Sequence, residues 1–134
     1  MTRGVTDAYA CVLRWAQRKY GAEIGAGLYR RVFADGDAYV IKVPRGEAGE
    51  YCNEGEACEA PGDPRLARCT LFTRYGVQLL RMERIVRFPQ TAREFARLPD
   101  WTTGVDCQQV GWTADGRLVA YDWVYPPGGR SVWG

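Results

Sequence analysis

A strand, turn, strand unit near the start constrains this chain more than any other feature. In LYRRVFADGDAYVIKV, residues 28–43, Leu28, Arg30 and Val32 alternate with Tyr29, Arg31 and Phe33, so the two sets fall on opposite faces of a strand. Asp35, Gly36 and Asp37 supply a tight turn, and Pro44 closes the second strand. A lone hairpin cannot hide an apolar face from water, so the flanking sequence must provide further layers.

Those layers are legible. Residues 6–20 place Tyr9, Val12, Leu13, Ala16 and Tyr20 at helical spacing behind Thr6 as a cap, and Gly21 stops the helix. Residues 47–60 form a weaker helix, since Gly49 and Gly55 each cost about 1 kcal/mol relative to alanine. Ala48, Tyr51, Cys52, Gly55 and Cys58 share one of its faces, and Glu54 is expected to point inward with them. A second hairpin over 68–86 turns at Tyr75 and Gly76. A short helix over 91–98 is capped by Thr91, and a third hairpin over 107–124 turns at Asp115 and Gly116.

The pattern predicts an α+β domain, an antiparallel sheet with flanking helices. At 134 residues the chain suits one core. Within that single domain, 1–22 holds the first helix, 23–88 the main sheet and second helix, and 89–134 the short helix, last hairpin and tail.

Composition removes several functions. No histidine is present, and Ser131 is the one serine, which removes a histidine-based triad and a buried serine nucleophile. Five cysteines form no CxxC pair and read as reduced core thiols. A net charge of +2, with arginines scattered among acids, weighs against nucleic acid, although Arg14, Arg18, Arg30 and Arg31 beside aromatics define what such a reading would use. No apolar run is long enough for a bilayer and the start lacks a signal-peptide pattern, so a cytoplasmic location without membrane contact is expected.

Lys19 and Lys42 are the only lysines against sixteen arginines, and Lys42 lies inside a strand among Val, Ile and Val. A buried ammonium requires a counter-charge, for which Glu54 is the candidate. Gly25 and Gly27 would let a backbone approach a phosphate that Lys42 also touches. Asp122, at the end of a strand, could hold Mg²⁺ against phosphate oxygens.

In this order the motifs resemble the protein-kinase-like fold, chiefly its N-terminal lobe. IGAGLYRRVF is similar to the glycine-rich loop, with Gly25, Gly27 and Val32 matching and Arg30 in place of the third glycine. YVIKV resembles the strand of the phosphate-pairing lysine, and NEGEAC the helix of its glutamate partner, here Glu54. LLRMERIV resembles the approach to the hinge, with Met82 as gatekeeper and Glu83, Arg84 and Ile85 facing adenine. QVGWTADGRLVAYDWV is similar to the hairpin leading to the metal-binding aspartate, here Asp122, with Gln109 in the place of the second metal ligand. Gly104 stands where the catalytic base belongs, neither Asp100 nor Asp106 has the right offset, and Val124 replaces the glycine after Asp122. No helical C-terminal lobe follows within these residues.

The resemblance therefore implies a kinase-like protein-binding module without phosphotransfer. It is similar to short accessory proteins of phages or mobile elements that bind and inhibit a host protein, with Tyr125 and Trp133 as candidate partner anchors. No cofactor is expected on that reading. The alternative is a minimal phosphotransferase or nucleotide-binding switch that uses ATP and Mg²⁺.

Overall fold

The computed structural model describes residues 3–124 and 126. Its first helix, α1 (Arg3–Tyr20), leads through Gly21 into β1 (Glu23–Ala26), β2 (Arg30–Asp35) and β3 (Tyr39–Pro44). Helix α2 (Glu47–Glu59) follows, then β4 (Cys69–Arg74), β5 (Val77–Glu83), β6 (Ile85–Arg87), α3 (Ala92–Ala96), β7 (Val110–Thr113) and β8 (Leu118–Ala120). Short 3₁₀ turns occupy Ala60–Gly62, Asp100–Gly104 and Asp106–Gln108.

The strands form two antiparallel sheets, one of five strands in the order β1-β2-β3-β5-β4 and one of three in the order β6-β7-β8. The expected turns are present: Gly36, Tyr75, Gly76 and Gly116 all have positive φ, the conformation these tight reversals require. Gly21, also at positive φ, donates its N–H to the Gln17 carbonyl and ends α1. Thr91 accepts from the Glu94 N–H at 3.1 Å, capping α3 as the sequence indicates. Two expectations are corrected. Helix α1 begins at Arg3, so Thr6 lies within it, and Gly25 sits inside an additional strand, β1, rather than in a loop before the first strand.

Strand alternation divides the chemistry of the large sheet between its faces. Phe33, Ile41, Val43, Val77 and Leu79 pack against Val12 and Ala16 of α1 in a dry core. The other face carries Lys42, Leu80 and Met82, with Leu80 and Met82 packed against Ala67 and Val119 beside the second sheet. Helix α2 covers this second face.

The inward side of α2 is Gly49, Cys52, Asn53 and Glu56, all buried, at spacings of three and four residues. Tyr51, Glu54 and Cys58 are exposed. The expected apolar face is thus rotated, because the polar side chains Asn53 and Glu56 have charged partners inside and outrank the weak hydrophobes for burial. Gly49 permits the docking: a Cβ there would lie 2.4 Å from the Tyr29 carbonyl oxygen and 2.8 Å from the Pro44 side chain.

Candidate functional site

The sheet register brings two cations to one place. Val32 lies opposite Lys42 and Arg30 opposite Pro44, so Arg30 and Lys42 are diagonal neighbours on the face covered by α2. Both are buried, and Glu56 lies between them, fully enclosed.

Arg30 meets Glu56 through two parallel bonds, Nη1 to Oε1 at 2.6 Å and Nη2 to Oε2 at 3.1 Å, the bidentate arrangement that a planar guanidinium favours. Its Nη2 also donates to Asp122 Oδ1 at 3.0 Å, and Nη1 to Asn53 Oδ1 at 3.1 Å. Lys42 Nζ donates to Glu56 Oε1 at 3.1 Å and to the Tyr121 carbonyl. The Trp123 N–H donates to Glu56 Oε2 at 3.2 Å. Asn53 completes the cluster, donating to the Lys42 and Gln78 carbonyls at 3.2 and 2.9 Å.

Two cations thus face two carboxylates in a closed, hydrogen-bonded network. Burial opposes the charge on Glu56, yet Lys42 and Arg30 outweigh it and hold its pKa below the usual carboxylate range. Burial also opposes the charge on Arg30, and Glu56 and Asp122 reverse the balance and raise its pKa. For Lys42, burial together with the Arg30 charge lowers the pKa despite the contact with Glu56. Asp122 is pushed up, chiefly by burial.

The structure sorts the residues singled out in the sequence. Lys42 is buried and paired, but its partner is Glu56; Glu54, two residues earlier in α2, is exposed. Asp122 joins the cluster through Arg30. Gly25 pairs with Val32 in the sheet, while the Gly27 N–H donates to the Arg30 carbonyl and the Gly27 carbonyl accepts from Arg45 Nε. Met82 is fully buried. At the expected adenine-facing segment, the Glu83 N–H donates to the Arg68 carbonyl and the Arg84 N–H to the Ala38 carbonyl. Ile85 pairs with Thr113. Gln109 is buried, and its carbonyl accepts from the Tyr121 N–H. Among the described residues, no three Cys, Asp or Glu side chains converge as a metal-binding group. Tyr125 and Trp133 lie outside the described residues.

Sequence reasoning missed Glu56 and Asn53, and it placed Arg30 as a substitute for the third glycine and among the arginines of a nucleic-acid reading, not in an interior ion pair. The signal was available in the helix spacing from Gly49, a small residue at a close contact, through Asn53 to Glu56.

Comparison of the chain with protein-family models, curated proteins and solved structures yields no match.

Proposed function

We propose that this chain is a non-catalytic, kinase-like module that acts by binding another protein, and that its phosphate site is filled by its own Arg30. The observation that carries the reading is the buried guanidinium seated across Glu56 and Asp122. A nucleotide using Lys42 would have to displace that cation from two carboxylates. It would also bring further negative charge to a cluster whose four charges already cancel. The N–H groups of Gly27, Glu83 and Arg84, positions at which the resemblance would direct phosphate and adenine contacts, are engaged within the chain.

Binding to a protein is supported by the resemblance to short kinase-like accessory proteins and by large apolar side chains on the surface, among them Leu28 at 59% and Val86 at 55% exposure. Inhibition of a host protein is the action that this resemblance suggests. A second reading, an ATP- and Mg²⁺-binding phosphotransferase or switch, draws on the convergence of Lys42, Glu56 and Asp122.

Thermal melting with ATP and Mg²⁺ separates the two readings. The non-catalytic module keeps the same Tm at about 1 mM nucleotide, whereas a functional site raises it by mass action. A rise that Lys42→Met abolishes overturns the proposal.

A further inference from the structure

One flank of α1 turns its charge to solvent. Trp15 and Lys19 share a row on the helix, and Arg14 and Arg18 share the neighbouring one. From β4, Arg74 reaches the same ring: its Cζ lies 5.2 Å from a Trp15 ring centroid, and Lys19 Nζ lies 5.8 Å from it. We infer that this flank is the docking surface for an acidic segment of the partner protein, one that brings several carboxylates to Arg14, Arg18 and Arg74.

The positive charge here is uncompensated. Arg14, Arg18, Lys19 and Arg74 are all exposed, and among the described residues none of them forms an ion pair. Arg14 donates to Cys11 Sγ at 3.4 Å and Arg74 to the Thr73 carbonyl at 3.2 Å, both neutral acceptors. The carboxylates around α1 are engaged elsewhere: Asp35 with Arg81, Glu23 with Arg31, and Glu50 with the Tyr9 hydroxyl and the Gln78 N–H. Glu47 and Glu50 lie beside Tyr9, in the first half of the helix. Of the four arginines that a nucleic-acid reading would use, Arg30 is buried on Glu56 and Arg31 is paired with Glu23, which leaves Arg14 and Arg18.

Ring contacts orient two of the cations without neutralising them. Trp15 is itself held edge-on by Tyr20 at 5.6 Å and by Phe72 at 6.4 Å, so the support for Arg74 and Lys19 is in place before a ligand arrives. A guanidinium over a ring keeps its N–H edge available for the two parallel bonds that a carboxylate accepts. The same contacts disfavour a nucleic-acid strand, which needs an aromatic face open to a base, because the Trp15 ring is taken by Arg74, Lys19, Tyr20 and Phe72. Excess cation without a stacking platform suits an acidic peptide.

The inference rests on the protein-binding reading, and the two fail separately. Nucleotide binding at Lys42 removes that reading, whereas a peptide titration bears on the α1 flank alone. Fluorescein-labelled decapeptides alternating Glu with Ser and Lys with Ser, and a labelled deoxythymidine decamer, are titrated by anisotropy against the full chain at low salt. Saturable binding of the Glu–Ser peptide alone is expected, weakening as salt rises. Arg14→Gln combined with Arg18→Gln should weaken it about tenfold or more, whereas Arg93→Gln combined with Arg97→Gln, which removes the same charge from exposed positions at α3, should change it less than about twofold. Arg74→Gln, on β4 rather than α1, should also weaken it, so the result does not depend on one helix folding normally. The inference is overturned by absence of binding to about 1 mM, by binding of the Lys–Ser peptide or the oligonucleotide as tight as that of the Glu–Ser peptide, by equal loss in the two double variants, or by a dimer that the Arg14 and Arg18 changes dissolve.

Discussion

Arg30 and Glu56, 26 residues apart in sequence, meet through two parallel hydrogen bonds in the interior, and the carboxylate they share with Lys42 is wholly shielded from water. Such a pair is costly to desolvate and costlier to break, because removing either partner strands an ion in a low-dielectric interior.

Glu56→Ala leaves two buried cations facing each other and should cost about 3–5 kcal/mol, a large part of the stability of a domain this size. Urea unfolding measures the loss. The triple variant Arg30→Met, Lys42→Met, Glu56→Leu removes charge on both sides and should recover most of it. Failure of the triple variant to exceed Glu56→Ala would show that the ions stabilise the fold beyond mutual compensation.

The same network sets the response to acid. The folded pKa of Glu56 lies below its unfolded value, so its contribution is fully present above the unfolded pKa and is lost as pH falls through the folded one. Asp122 has the opposite sign: its raised folded pKa gives a contribution that is present in acid and lost as pH rises through that value. Glu56→Gln should accordingly flatten the acid limb of a stability profile, and Asp122→Asn should steepen it. Unfolding midpoints at stepped pH below about 5 distinguish these outcomes.

Lys42 acts at the alkaline end. Its folded pKa is lowered by burial and by Arg30, so the unfolded chain binds more protons between the folded and unfolded values, and stability should rise with pH across that window. Lys42→Met should abolish the rise while leaving the Arg30–Glu56 pair in place.

Gly49 tests the docking of α2. Alanine normally favours a helix interior by about 1 kcal/mol over glycine. Here the added methyl meets the Tyr29 carbonyl oxygen at 2.4 Å and Pro44 at 2.8 Å, both parts of a constrained chain. Gly49→Ala should therefore destabilise by about 1–3 kcal/mol despite its propensity gain, as read by thermal or urea unfolding.

The hairpins, the α1 face and the Thr91 cap were legible because each depends on local chemistry: alternation, glycine at positive φ, a hydroxyl before a helix. The inward side of α2 was not. Its apolar residues, Tyr51 and Cys58 among them, suggest one face, but that ranking weighs each side chain alone. Glu56 is buried because Arg30 and Lys42 await it, a relation set by the pairing of β2 with β3 and invisible along the helix itself. Glu54→Gln should shift stability by no more than about 0.5 kcal/mol, as befits an exposed carboxylate, in contrast to its neighbour two positions on.

One carboxylate gathers contacts from three separate stretches of chain: Arg30 from β2, Lys42 from β3 and the Trp123 amide beyond β8. The smaller sheet is thereby riveted to the larger one through the interior of α2. Neither can peel away without stripping Glu56 of a partner, so hydrogen exchange in the two sheets should follow a common opening event.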